Sequence, residues 1–280
     1  MKLKSFSIAA LISLALITNG ASATEHVLRL SDGDVISFEE MIEELKKVDI
    51  VFIGENHENE KHHKNEFEII RALNYKKIPL GLGLEMFTAE NQKELDAWVA
   101  GKLDLDTFLR VYYKAWRLPW PLYRDIFTYA KDNRIPMIGL NVPAELTNKV
   151  SREGFQALTD KELGKLPPEI SCNVDEKYME FVKRAYEAHE IKGKLFVNFC
   201  EAQMVWDKSM AWHLIEYMKK NPMRQMIVLS GTGHSWKYGM PVQAKKESIY
   251  TFKVILHESP GRLGKDTTTK DDADYLILEN

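Results

Sequence analysis

Four short apolar runs, each ending abruptly at a glycine or an isolated polar residue, constrain the fold of this chain most strongly. They are Asp49-Ile-Val-Phe-Ile53, Leu80-Gly-Leu-Gly-Leu84, Ile135-Pro-Met-Ile-Gly-Leu140 and Met226-Ile-Val-Leu-Ser230. Their length suits strands, and their continuous apolarity suits strands covered on both faces. Pro136 stands at the start of its run, where a missing backbone donor is tolerated. Helical spacing appears between the runs at 38–46, 60–75, 92–100, 122–132, 175–191 and 201–219, with Phe67, Ile70 and Leu73 on one helix face. This alternation predicts an α/β fold: a single domain with a mostly parallel central sheet, helices on both faces and helical insertions. Ile249 to Leu256 adds a strand, and Tyr275 to Leu278 a short edge strand. The section 142–173, broken by Pro167-Pro168, reads as a small subdomain or cap, and Pro260 to Asp274 as a surface loop.

Parallel neighbouring strands bring their carboxyl ends to one edge, where open α/β sheets bind ligands. The first run leads into Gly54-Glu55-Asn56-His57, the second ends at Glu85, the third at Asn141, and the fourth leads into Gly231-Thr232-Gly233-His234. Glycine permits the tight turn out of each strand, so that the following imidazole faces the crevice. Two imidazoles with one or two carboxylates suit Zn²⁺, Mn²⁺ or Fe²⁺. The minimum metal set is His57, Glu85 and His234, with Glu55 as a further ligand or as a base acting on bound water. The competing reading has the glutamates capping helices and the histidines bonded to backbone carbonyls. His62 and His63 fall in the first turn of a helix and read as wet surface positions.

Between 98 and 129 the composition changes. Trp98, Phe108, Tyr112, Tyr113, Trp116, Trp120, Tyr123, Phe127 and Tyr129 crowd together, with Arg110, Lys114, Arg117 and Arg124 interleaved. Aromatic core is one reading. The other is a flat apolar surface with cationic edges, suited to a large planar acid or a second copy of the chain. Tyrosinate ligates ferric haem, and arginine pairs with its propionates.

The N-terminus bears on compartment. Lys2 and Lys4 precede an apolar run from Phe6 to Ile17, and Ala21-Ser22-Ala23 offers small residues to a signal peptidase. Residues 1–23 therefore read as a signal peptide and 24–280 as the mature domain, placed in the periplasm or secreted in soluble form. A retained anchor is the alternative, though the run is short for a bilayer. No cysteine follows it for lipid attachment, and no later charge-free stretch reaches spanning length. The net charge is -3 and there is no basic block, which argues against nucleic acid as a partner. Cys172 and Cys200 are compatible with one disulfide or with a reduced buried pair.

Taken in order, these motifs resemble the ChaN-like haem-binding lipoprotein family, part of a wider group that includes the Tiki proteases and erythromycin esterases. The likeness rests on Val-Phe-Ile-Gly-Glu-Asn-His ending at 57, Gly-Leu-Glu-Met-Phe ending at 87, and Gln92 with Leu95-Asp96 and Trp98. It continues through Gly139-Leu-Asn-Val-Pro143, Ala202-Gln-Met-Val-Trp-Asp207 with Met210-Ala211, and Gly231-Thr-Gly-His-Ser235. The resemblance implies a periplasmic haem-binding protein of haem-iron uptake or handling, with a tyrosine ligand and paired haems at a homodimer interface. Tyr112 and Tyr113, with Arg117 nearby, are the haem candidates by neighbourhood. It also implies that His57, Glu85 and His234 match the site of metal-dependent hydrolases in the wider group. A peptide or ester hydrolase is thus the alternative function, and a ligand-free interaction module a third. The lipoprotein cysteine of the family is absent here.

Overall fold

The computed structural model describes residues 26–168, 170–186 and 191–279. The signal-peptide reading, its cleavage point and residues 187–190 of the helix read at 175–191 lie outside these. Eight strands form one sheet: β1 (Val27–Arg29), β2 (Val35–Ile36), β3 (Ile50–Glu55), β4 (Leu80–Thr88), β5 (Met137–Asn141), β6 (Gln225–Gly231), β7 (Phe252–His257) and β8 (Tyr275–Ile277). Their order is β2-β1-β8-β7-β3-β6-β4-β5. Every pairing from β8 to β5 is parallel, while β1 runs antiparallel to both β8 and β2.

The four apolar runs thus lie side by side as β3-β6-β4-β5. Their register sets Glu55 opposite Gly231 and Leu84 opposite Leu229, so the polar strand ends meet at one edge. One sheet face carries Val51, Ile53, Leu82, Leu84, Ile227 and Leu229. Against it pack α1 (Phe38–Leu45), α2 (Glu60–Tyr75), α3 (Gln92–Val99), α4 (Leu105–Ala115) and α5 (Trp120–Asp132). Alternate residues Ile50, Phe52, Ile138, Leu140, Met226 and Val228 face the other way. That side is covered by α8 (Glu176–Ala185), α9 (Gly193–Lys220) and α11 (Met240–Glu247). The α6 (Ala144–Glu153) and α7 (Asp160–Leu163) section builds a third apolar cluster on Ala202 and Val205 of α9. The remaining short helix, α10 (Thr232–Ser235), follows β6 directly.

Several elements differ from expectation. The strand at 275–277 is not an edge, because the β1–β2 hairpin lies outside it and Tyr275, Leu276 and Ile277 are all buried. That hairpin is formed by strands of three and two residues, too short for alternation to show. Helix α4 was hidden among aromatics, although Asp104 caps it by accepting from the Thr107 N–H at 2.7 Å. Most of those aromatics are core: Trp98, Phe108, Tyr112, Trp120, Tyr123 and Phe127 are buried, and Trp98 stacks on Phe108 at 4.1 Å. Helix α9 also starts earlier than expected, at Gly193.

Candidate strand-end site

Two carboxylate–imidazole pairs face each other across the ends of β3, β4 and β6. Glu55, the last residue of β3, is buried, and His57 Nδ1 lies 2.6 Å from its Oε1. His234, on α10, has its Nδ1 2.7 Å from Oδ1 of Asp207, a buried acid on α9. Tyr178 donates to the other oxygen of Asp207 at 2.9 Å. Between the pairs stands Glu85 of β4, which accepts the Gly231 N–H at 2.6 Å and lies 3.8 Å from His234 Nε2. The strand ends thus use every Nδ1 for orientation and leave the Nε2 atoms for other work.

Glycine 231 makes this convergence possible. A Cβ there would lie 3.0 Å from His57 Nε2 and 3.6 Å from Glu85 Oε2, filling the floor the two side chains share. Gly233 serves the wall, since a Cβ would overlap the Tyr186 ring, whose hydroxyl sits 3.1 Å from His234 Nδ1. Trp116 meets His57 edge-on at 5.0 Å, and Trp206 meets His234 at 5.7 Å. The His57 side chain is 34% exposed against 8% for His234, so the site opens at His57. Burial opposes protonation of both imidazoles. The Glu55 hydrogen bond and the Glu85 charge outweigh it at His57, and the charges of Glu85 and Asp207 outweigh it at His234, so both titrate above the usual range.

Beneath His57 lies a second group that corrects one expectation. His62 and His63 are not wet: each is 3% exposed. Only the residues 56–59 separate β3 from α2, so the first turn of the helix is drawn under the strand ends. His63 Nδ1 lies 3.0 Å from Glu55 Oε2 and 3.1 Å from Glu66 Oε2, while its Nε2 lies 3.0 Å from the His57 carbonyl oxygen. Tyr123 donates to Glu55 Oε1 at 2.5 Å. Among the described residues, Glu55, His63 and Glu66 offer donor atoms that all lie within 4.8 Å of one another. Burial alone would raise the Glu55 carboxyl, but hydrogen bonds from His57 and His63 hold it far below the usual range. His63 is pushed up to about 10, against burial, by Glu55 and Glu66. Burial and the Glu55 charge push Glu66 up to about 8. The neighbouring His62 stacks on His257 at 4.1 Å, and burial pushes these two down to about 4 and about 3, keeping them neutral.

The structure therefore unites His57, Glu85, His234 and Glu55. The aromatic candidates stand apart at the end of α4. Tyr112 is fully enclosed and donates to the Leu118 carbonyl at 3.1 Å. Tyr113 is 49% exposed, its hydroxyl accepting the Trp120 N–H at 3.2 Å, with Lys114 and Arg117 exposed close by in the chain. Trp116, the residue capping α4, links this region to His57. Sequence reasoning assigned no role to Asp207, although its signal was present: an acid flanked by Gln203, Met204, Met210 and Ala211 on the buried face of α9. Cys172 and Cys200 are both free thiols.

The fold and these paired dyads define an α/β protein with an ionisable site at the carboxyl ends of a parallel sheet. Residues 41–243 match the family described as haem-binding uptake, Tiki superfamily, ChaN, and the chain belongs to that family. It is similar in fold to a solved structure of cofacial heme binding to ChaN of Campylobacter jejuni, at a TM-score of 0.71 and 20% identity, covering 92% of this chain and 98% of that one. A mutant of erythromycin esterase EreC in its open conformation aligns at a TM-score of 0.50 and 13% identity, over 85% of this chain and 80% of that one. Protein RETICULATA-RELATED 5, chloroplastic, of Arabidopsis thaliana is 28% identical over 127 residues. Those residues are 43% of this chain but only 17% of the plant protein's length.

Proposed function

We propose that this chain binds haem on the α4 surface, with Tyr113 as the iron ligand, and that it acts in haem-iron uptake or handling after export. The observation that carries this reading is a half-exposed phenol beside exposed Lys114 and Arg117, in a chain of the haem-binding uptake family. A phenolate ligates ferric iron, and the two cations suit the propionates of a planar acid. The ChaN of Campylobacter jejuni is described as binding heme cofacially, which supports the same ligand here. The signal pattern at 1–23 supports a periplasmic or secreted location. Haemin added to the chain should give a saturable Soret change at about micromolar affinity or tighter (about -8 kcal/mol). The exported form should have an intact mass beginning at Thr24. Binding that never saturates would remove the haem assignment, and a retained Met1 would remove the export assignment.

A second reading is favoured by a separate observation: both strand-end imidazoles have Nδ1 tied to a buried carboxylate. That arrangement orients metal-bound histidines and raises their basicity. His57, Glu85 and His234 fit a Zn²⁺, Mn²⁺ or Fe²⁺ ion, which would supply Lewis acidity for cleaving a peptide or ester. In this reading Glu55 orients His57, because its Oε1 is already bonded by His57 and Tyr123. Asp207 orients His234, and Asp207→Asn should lower hydrolysis by about 10- to 100-fold. Protein supplied with Zn²⁺, Mn²⁺ or Co²⁺ that cleaves nothing in a broad ester and peptide panel would end it.

A further inference from the structure

We propose that Glu55, His63 and Glu66 hold a first-row divalent metal ion, such as Zn²⁺ or Mn²⁺, in a buried site separate from the His57–Glu85–His234 edge and from the haem surface. The tautomer of His63 is fixed by its neighbours. His63 Nε2 faces the His57 carbonyl oxygen at 3.0 Å, and a carbonyl only accepts, so Nε2 carries hydrogen. In the neutral ring Nδ1 then presents a lone pair, yet carboxylate oxygens of Glu55 and Glu66 stand 3.0 and 3.1 Å from it. Three electron-rich atoms converge in a buried site, so a proton or a cation must lie among them.

A proton on Nδ1 answers this only in part. One N–H points at one acceptor well, and Glu66 Oε1 is left without a hydrogen-bond partner although the whole side chain is buried. A metal ion serves all three donors at once. Neighbouring ligands about 2.1 Å from a metal lie roughly 3.0 Å apart at a right angle and roughly 3.4 Å apart in a tetrahedron. The His63 contacts already have that spacing before any ion arrives. An imidazole with two carboxylates suits Zn²⁺, Mn²⁺ or Fe²⁺ better than Ca²⁺, which takes oxygen donors.

The surroundings are those of a supported site. The His63 ring is oriented by the His57 carbonyl, while Tyr123 and His57 hold Glu55 Oε1, leaving Oε2 for the ion. Access is also present. A cavity of about 280 Å³ between α2 and α5 has His63 in its wall and the exposed carboxylates of Glu60 and Asp125 beside it. Lys64 shares that rim and tempers its negative charge.

Co²⁺ is a suitable probe, offered to the haem-free chain after its metal content has been determined. Visible ligand-field bands and one Glu66-dependent ion per chain are expected, in addition to any ion held at the strand-end edge. Glu66→Gln should weaken binding at least about tenfold, since it removes one of three ligands. Glu247→Gln, at an exposed acid of α11, should leave the bands and affinity unchanged. Nitrogen NMR of the parent chain gives a check independent of any variant's folding: Zn²⁺ should remove the His63 Nδ1–H signal. Absence of both co-purified metal and Co²⁺ uptake would overturn the proposal. So would bands lost in His234→Gln and kept in Glu66→Gln, because they place the ion at the strand-end edge.

Discussion

Replacing Glu55 with alanine should lower the folding free energy of the metal-free chain by about 3–5 kcal/mol, the usual result of removing one partner from a buried ion pair. Glu55 is enclosed; His57 and Tyr123 bond its Oε1, and His63 stands 3.0 Å from its Oε2. Alanine removes all three interactions and leaves the buried His63 imidazolium with Glu66 alone. Glu55→Gln keeps the shape but offers one acceptor and one NH₂ group. It should therefore lose less, about 1–3 kcal/mol, from mismatched hydrogen bonds. The exposed Arg124–Asp125 pair is the control, expected to contribute nothing measurable. Urea denaturation of the four proteins measures this directly. A Glu55→Ala loss under about 1 kcal/mol would mean the cluster is neutral in the native state, against the charge separation drawn above.

The second large effect concerns haem. Tyr113→Phe should abolish the tyrosinate charge-transfer band and weaken haemin binding by at least about tenfold, or ~1.4 kcal/mol. Tyr112→Phe should leave the spectrum intact and reduce stability by about 1 kcal/mol, the contribution of a lost neutral hydrogen bond. The two tyrosines are adjacent, with rings 5.1 Å apart, so the contrast tests which phenol is accessible and not the local fold. Assembly should follow the ligand. A haem held by Tyr113 exposes its second apolar face, and a twofold pair of chains covers both such faces with one shared patch. Haem that binds the dimer better must shift the monomer–dimer equilibrium by mass action. Sedimentation velocity should show dimer on haemin addition in the parent chain and less in Tyr113→Phe. A parent chain saturated with haem yet monomeric throughout would separate binding from assembly.

The site was legible to the extent that its residues announce themselves locally. Gly54, Glu55 and His57 follow an apolar run, as do Gly231 and His234, and parallel pairing places both strand ends on one edge. Asp207 and Glu66 gave weaker signals, each a single acid on a helix. His63 was misplaced because its position in the first helical turn suggests solvent, and only the short connection from β3 turns that face inward. The same distinction separates Tyr112 from Tyr113. Their composition is identical, and helical geometry sends one ring into the aromatic core and the other outward.

What the sequence by itself determined was the alternation of strand and helix, the two-sided sheet and the imidazoles at its edge, because each depends on patterns within some ten residues. The tertiary structure alone decided which strand is an edge, which histidines are buried and which carboxylate each one meets. Those outcomes rest on encounters between Val27 and Ile277, Asp207 and His234, and Tyr123 and Glu55. Such distant partners are selected by the packing of the whole chain, since a buried ionisable group persists only where another element supplies its counterpart.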